Sequence, residues 1–325
     1  MSKAIRIHEY GGPEVLRWED VPVSEPGPGQ LRIRHAAIGL NYIDVYHRNG
    51  LYPLPSLPWT LGMEGAGRVE AVGAGVTEFQ VGDRVAYASP PVGAYAEVRL
   101  IPADRVVALP ETIDDQTAAA MMLQGMTAQY LLRRTYRVQP GYAILLHAAA
   151  GGVGLIASQW ARQLGALVIG TVGSDEKAEI ARAHGCHHTI VYSRENFVDR
   201  VREITNGQGV AVVYDSVGQE TFTGSLDCLR PLGMMVSFGN ASGPVPPFEP
   251  GLLAAKGSLF LTRPTVMTYT AKREDMATAA AELFEVVTLG AVKIAVRQTY
   301  PLAETAQAHR DLEARKTTGS TVLLP

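Results

Sequence analysis

Cysteine is nearly missing from this chain: Cys186 and Cys228 are the only two in 325 residues. That excludes a disulfide framework and matches a reducing compartment, which makes the cytoplasm the expected location. An excess of charge of one sign is missing too. With 29 basic and 32 acidic side chains the formal net charge is −3, so electrostatics give no reason to expect nucleic acid or an anionic membrane as partner. No apolar run approaches the roughly 18 residues of a membrane span, and the opening MSKAIRIHEYGGPE has no apolar signal core. Also absent are a G-x-S-x-G elbow, a phosphate-loop lysine after the glycine turn, and a cysteine beside a histidine base. The expectation is a soluble protein without those nucleophilic or phosphate-loop chemistries.

What is present suits sizeable cores: 46% of the residues are hydrophobic, and the length fits about two domains at roughly 150 residues each. Segments 31–40, 67–73, 83–88 and 94–102 read as short strands divided by Gly and Pro, with a short helix over Asn41–Arg48. From Thr117 the pattern becomes helical, with Thr112 or Asp114 as cap and an interruption expected near Gly125. After Pro140-Gly141, apolar runs at 166–172, 188–193, 210–216 and 233–239 alternate with amphipathic helices, the signature of a parallel sheet covered on both faces. The tail reads helix, strand, helix, strand, and is expected to fold back on the N-terminal unit, so that one domain is split around another.

The most informative segment is AILLHAAAGGVG (143–154), a strand and small-residue turn followed by a helix from Val153 to about Leu164. Ala149, Gly151 and Gly154 fit A-x-G-x-x-G, with Gly152 and Val153 between the last two, a relative of the dinucleotide fingerprint. Small residues let backbone N–H groups approach a pyrophosphate, and the positive end of the helix stabilises it. A strand–helix packing corner is the alternative. NAD enzymes of this kind place an acidic side chain at the end of the second strand, for the ribose hydroxyls. In GTVGSDEK (170–177) Val172 stands about there, which removes an obstacle to a 2′-phosphate. Gly173 and Ser174 offer donors and Lys177 a positive charge, so NADPH is expected over NADH. Asp175 and Glu176 compete with that reading, or simply complement the helix dipole. Tyr192 can cover the adenine, while Ser216, Val217, Phe238, Gly239 and Asn240 end the later strands toward the nicotinamide. Tyr192 and Phe238 can equally be core aromatics.

GMEGAGRVEAVGAGVTEFQVGDRVA (62–86) and HAAAGGVGLIASQWARQLGA (147–166) together resemble the medium-chain dehydrogenase/reductase superfamily. GGPEVL, AIGLNYIDVYHRNGLYP, YDSVG and VSFGN resemble its bacterial NADPH:quinone oxidoreductases of the zeta-crystallin type. The resemblance implies an α/β fold: a doubly wound parallel-sheet (Rossmann) nucleotide domain, 126–264, inserted in a GroES-like β-rich catalytic domain, 1–125 and 265–325. It implies Lys177 on the 2′-phosphate and Thr127 and Tyr130 near the nicotinamide ribose and phosphates. Arg263 and Arg315 are further contacts by resemblance, or else salt-bridge residues. A homodimer through the nucleotide domains is implied as well, with LFLTRP (259–264) as an edge strand. The superfamily's zinc alcohol dehydrogenases carry Cys at the place of Asn41 and His at that of Met63. Here only Glu64 of the three is a good ligand, and the four cysteines of the structural zinc are absent. His187 and His188 point apart on a strand with no third ligand near in sequence. No metal is expected.

Hydride transfer is carried by the nicotinamide, and a quinone needs no Lewis acid to accept it. The expected activity is zinc-independent reduction of a small-molecule quinone by NADPH. Asn41 is the candidate donor to a substrate carbonyl or to the carboxamide. Tyr46 and Tyr52 are candidate donors to the developing hydroquinone oxygen, since a tyrosine with pKa near roughly 10 donates at neutral pH. Tyr46 alternatively only packs. Glu64 is expected to be structural, paired with an arginine. Two rivals stay open: reduction of an α,β-unsaturated aldehyde or ketone at the same site, and nucleotide binding with little catalysis.

Overall fold

Period-two alternation builds the N-terminal strands. In LRIRHAA, Leu31, Ile33, His35 and Ala37 are buried, Arg34 and Ala36 are exposed, and Arg32 lies between. The computed structural model describes residues 1–325 and divides into two units. The first comprises Met1–Gln124, Thr270–Phe284 and Ile294–Pro325; the second comprises Gly125–Tyr269 and Glu285–Lys293.

The first unit begins with β1 (Ser2–Ile7), β2 (Arg17–Val21), β3 (Gln30–Leu40), helix α1 (Tyr42–Arg48), β4 (Trp59–Thr60), β5 (Glu64–Val72), β6 (Arg84–Ala88), β7 (Val98–Pro102) and β8 (Val107–Ala108). Helix α2 (Asp115–Tyr130) leads the chain into the second unit. There β9 (Ala143–Leu146), α3 (Gly152–Gln163), β10 (Leu167–Val172), α4 (Asp175–Ala183), β11 (His188–Val191), α5 (Phe197–Ile204), β12 (Val210–Asp215) and α6 (Phe222–Asp227) alternate. After them come β13 (Leu229–Ser237), α7 (Gly251–Ala255), β14 (Phe260–Thr262) and α8 (Val266–Tyr269). Helix α9 (Arg273–Thr288), β15 (Val296–Pro301), α10 (Thr305–Glu313) and β16 (Ser320–Leu324) complete the chain.

In the first unit a three-stranded sheet, β2-β1-β4, accompanies a seven-stranded sheet ordered β15-β16-β3-β5-β6-β8, with β7 also paired to β3. The long β3 is its spine. It pairs antiparallel with β5 and β7, and its last residues with β16 at Thr321↔Leu40. Leu31, Ile33, Leu61, Tyr87 and Tyr95 sit in the core between the sheets' apolar faces. In the second unit six parallel strands run β11-β10-β9-β12-β13-β14. This is the doubly wound Rossmann order, reversing between β9 and β12, so the carboxyl ends of those two strands open a crevice. All of β12 is buried, as a sheet covered on both faces requires. The fold is therefore α/β, a Rossmann-like sheet with a separate β-rich unit. No helix is long and apolar enough to cross a membrane.

Three local expectations need correction. Helix α2 is not interrupted at Gly125; it runs on to Tyr130, and the irregularity follows as a π-helical segment, Leu131–Thr135. Interior glycine costs a helix only about 1 kcal/mol, and every residue from Ala118 to Leu132 is buried, so packing outweighs it. Segment 259–264 is strand only over Phe260–Thr262, though it does form the sheet's edge. Tyr192, Ser216, Val217 and Phe238–Asn240 lie just past their strands, in the loops where parallel sheets receive ligands, rather than within them.

The turn after β9 shows why small residues are needed. A Cβ at Gly154 would stand 2.4 Å from the Ala148 carbonyl oxygen and 2.8 Å from the carbonyl carbon of Ala149. The first turn of α3 therefore lies directly on the turn that precedes it. Replacing Gly154 by Val is expected to cost about 1–3 kcal/mol by overpacking, read as a lower urea midpoint at unchanged slope. An unchanged midpoint would mean that this close approach is easily relaxed.

Candidate functional site

In the second unit the fingerprint turn sits at the strand-order reversal. Ala149 is buried and its N–H donates to Thr171 O at 3.0 Å, which anchors the turn to the neighbouring strand β10. Gly151 is the N-cap of α3 and no side chain caps that helix. The N–H groups of its first turn, Gly152, Val153 and Gly154, thus meet no side-chain acceptor, and the helix dipole places partial positive charge there. That arrangement fits a pyrophosphate.

Beside it, the loop after β12 is folded by Asp215. Its buried carboxylate accepts from the N–H of Val217 at 2.8 Å and of Gly218 at 3.0 Å. The loop after β13 packs on this turn: Ala241 N donates to Ser216 O and Ser242 N to Val217 O, and a Cβ at Gly239 would lie 2.4 Å from Ser216 O. Ser216, Val217, Phe238, Gly239 and Asn240 are thereby brought together. Arg263 joins them, donating to Ser237 O at 3.0 Å, with its other nitrogen 3.2 Å from the Asn240 side-chain amide, which satisfies its neighbours when its oxygen faces the guanidinium. Arg263 also acts on Tyr130, whose buried hydroxyl has its pKa raised by desolvation and which interacts with Thr127. Tyr130 stacks on Tyr269 at 4.5 Å.

At the sheet's other half, Ser174 caps α4, its Oγ accepting from Lys177 N at 3.3 Å. Gly173 lies against Tyr192, which is 43% exposed and so is not a core aromatic. Phe238 is half-buried. Asp175, left open as competitor or helix complement, forms a fork with Arg194.

The first unit holds Asn41, Tyr46, Tyr52 and Arg315. Asn41 ends β3 and starts α1, where Asp44 accepts from its N–H at 2.9 Å. Its side-chain amide donates to Glu64 Oε1 at 2.5 Å and accepts from Gln124 Nε2 at 3.0 Å. One of its two amide hydrogens is thus committed and one remains for a ligand. Glu64 does not pair with an arginine. Its second oxygen accepts from Leu123 N at 2.6 Å, and helix α2 takes the place assigned to a cation. Burial raises the Glu64 pKa to about 8, opposed by these donors and reinforced by the nearby Asp44 charge. Burial likewise raises Asp44 to about 7. Tyr46 is buried, with the Tyr42 and Tyr52 rings at 5.8 and 5.2 Å; Tyr52 is half-buried. Arg315 follows α10, close enough to Tyr42 for its charge to oppose the burial that raises that hydroxyl's pKa. Arg48, doubly bonded to Glu313 at 2.8 Å, ties α1 to α10.

Sequence reasoning missed Asp215, Gln124, Tyr269 and Arg194. Only Asp215 carried a signal, as a carboxylate ending an otherwise apolar strand.

Residues 27–111 match the alcohol dehydrogenase GroES-like domain, and residues 152–285 match the zinc-binding dehydrogenase model. The chain is 56% identical to a quinone oxidoreductase of Pseudomonas aeruginosa across 100% of both chains. It is 50% identical to a 2-haloacrylate reductase of a Burkholderia species, across 100% of this chain and 99% of the other. The solved structure of Escherichia coli quinone oxidoreductase complexed with NADPH matches with a TM-score of 0.98 at 48% identity, covering 99% of this chain and 100% of that one. The zinc named in the second family model does not fit the donors here. Asn41 and Met63 are an amide and a buried thioether, each Glu64 oxygen already accepts a hydrogen bond, and His187 Nδ1 accepts from Val168 N at 3.0 Å.

The sign of the Glu64 effect follows from its raised pKa. The folded chain keeps a proton that the unfolded chain loses above about 4.5, so its stabilising contribution is full below that and disappears as pH rises to about 8. Relative to Glu64→Gln, the unsubstituted protein should lose up to about 1.4 kcal/mol per pH unit across that window, measured by urea unfolding at pH values from roughly 5 to 8. Parallel pH profiles would mean that Glu64 is ionised throughout.

Proposed function

Because the chain belongs to the medium-chain dehydrogenase/reductase superfamily, we propose that it is a cytoplasmic, zinc-independent oxidoreductase passing reducing equivalents from NADPH to quinones. The observation that carries this reading is the uncapped N-terminus of α3 behind the Ala149–Gly154 turn, at the reversal of strand order. No carboxylate stands at Val172, which favours a 2′-phosphate. The quinone oxidoreductase relatives, one of them complexed with NADPH, support both substrate and cofactor.

When bound, NADPH supplies a hydride. The chain's own residues bind and orient. The turn Ala149–Gly154 takes the pyrophosphate; Gly173, Ser174 and Lys177 take the 2′-phosphate, and Tyr192 covers the adenine. Ser216, Val217, Phe238, Gly239 and Asn240 face the nicotinamide, with Thr127, Tyr130 and Arg263 donating to ribose and phosphate oxygens. The raised pKa of Tyr130 keeps it a neutral donor. Asn41 offers its remaining amide hydrogen to an acceptor oxygen, Tyr52 and Tyr46 donate toward the reduced acceptor, and Arg315 is a further anion contact. A second reading, reduction of a carbon–carbon double bond conjugated to a carbonyl, is favoured by the 2-haloacrylate reductase relative. It asks the same groups to polarise a carbonyl or carboxylate oxygen.

The proposed homodimer forms through the nucleotide units along β14. That strand is the sheet's edge, and Phe260 and Leu232 nearby are 56% and 66% exposed.

Chelator-treated enzyme should oxidise NADPH in the presence of benzoquinones or naphthoquinones, with conjugated enals and haloacrylates as the competing arm. Asn41→Ala or Tyr52→Phe should lower kcat/KM by about ten-fold or more, the loss of one positioned donor. NADPH binding without acceptor-dependent oxidation would leave only the binding-protein reading. Sedimentation at micromolar concentration should give a dimer, and a monomer there would refute the β14 interface.

A further inference from the structure

We propose that Arg194 is a second ligand for the 2′-phosphate, held in place by Asp175 until the dinucleotide arrives, and that it sets the preference for NADPH together with Lys177. This rests on the NADPH reading above.

Strands β10 and β11 end side by side, at Val172 and Val191. The residues that follow stay paired. Tyr192 N donates to Val172 O at 3.1 Å, Ser193 Oγ donates to Gly173 O at 3.4 Å, and a Cβ at Gly173 would lie 2.8 Å from the Tyr192 hydroxyl. The turn bearing Arg194 is fixed from behind. Glu195 accepts from Val191 N at 2.9 Å and pairs with Arg200, while Arg194 N donates to Val191 O. Arg194 therefore leaves a fixed turn, and its guanidinium meets Asp175 as a fork, at 2.5 and 2.6 Å.

Asp175 is not needed to cap α4, because Ser174 already does so. Its carboxylate instead presents to Arg194 the planar, two-oxygen face that a phosphate also presents. Both side chains are more than half exposed, at 68% and 56%, and an exposed pair of this kind holds only weakly. A phosphate dianion beside Ser174 and Lys177 can therefore draw the guanidinium away from a single carboxylate. A 2′-hydroxyl cannot, since it carries no charge to repay the exchange. Asp175 then has two effects: it orders Arg194 in the free protein, and its negative charge opposes the incoming phosphate. The second effect dominates because the turn, not Asp175, fixes the backbone.

The test is calorimetric titration of the unsubstituted protein, Arg194→Ala and Asp175→Asn with NADPH and NADH, and with adenosine 2′,5′-bisphosphate against 5′-AMP. Arg194→Ala should weaken NADPH and the bisphosphate by about ten-fold, the range of one charge-assisted contact, and NADH and AMP by less than about two-fold. Asp175→Asn should tighten NADPH by roughly two- to three-fold. If the unsubstituted protein prefers NADPH but Arg194→Ala leaves the NADPH/NADH ratio unchanged, Arg194 is no ligand and the NADPH reading stands. Equal weakening of both dinucleotides would overturn it in the same way. Weaker NADPH binding by Asp175→Asn would overturn the role given to Asp175. Preference for NADH in the unsubstituted protein would overturn the NADPH reading and this one with it.

Discussion

A carboxyl group taken out of water costs several kcal/mol unless donors meet its lone pairs, and each unit of this chain is organised around one such group. In the first unit Glu64 gathers the end of β3, through the Asn41 amide, and helix α2, through the Leu123 N–H. In the second, Asp215 takes two backbone N–H groups with one oxygen and the hydroxyls of Thr221 and Ser225 with the other. That set folds the Ser216–Gly218 turn, on which the loop after β13 is laid. The positions of Asn41, of Ser216 and Val217, and of the loop Phe238–Asn240 packed on them therefore follow from how two carboxyl groups are satisfied.

His147 shows how easily such a network is misread. Ser225, His147 and Asp215 are the three residue types of a hydrolytic triad, and they are hydrogen-bonded. The connections run the wrong way. Ser225 donates to Asp215, so His147 donates to Ser225 through Nε2 and accepts from Thr171 through Nδ1 at 2.8 Å. The base has no proton to take from the serine, and all three are buried. This network is scaffolding that joins β10, α6 and the loop after β12.

The alternation of strands with helices and the glycine turn were legible because they are local: period and small residues act within a dozen positions. Helix α4 over Asp175–Ala183 was readable from the acidic pair Asp175 and Glu176 in its first turn for the same reason, whereas its Ser174 cap was not. The partners of Glu64 were not, since Leu123 and Asn41 lie far from it in sequence and meet it only after β3 pairs with β5. Met63–Glu64 suggested a search for a cation, whereas the fold supplies a helix N–H and an amide. Gly125 misled because an intrinsic cost was visible and the burial that offsets it was not. Arg194 escaped notice because its meaning depends on β11 lying beside β10, which brings the residues after two strands into contact.

On the proposed reading, the same residues bear on why an acceptor that is already electrophilic would suit this site. A metal polarises a carbonyl strongly because it is a full charge with an open coordination position. Asn41 can offer a single neutral hydrogen, and its orientation is set by Glu64 and Gln124. Preorganisation makes that hydrogen more useful than one in water, but it remains a dipole. Such a donor is proposed to have the task of orienting a quinone or an activated alkene, where the acceptor supplies most of the driving force. On the proposed reading, Asn41 and Met63, where zinc alcohol dehydrogenases carry Cys and His, go with a different class of acceptor, while the dinucleotide turn is kept.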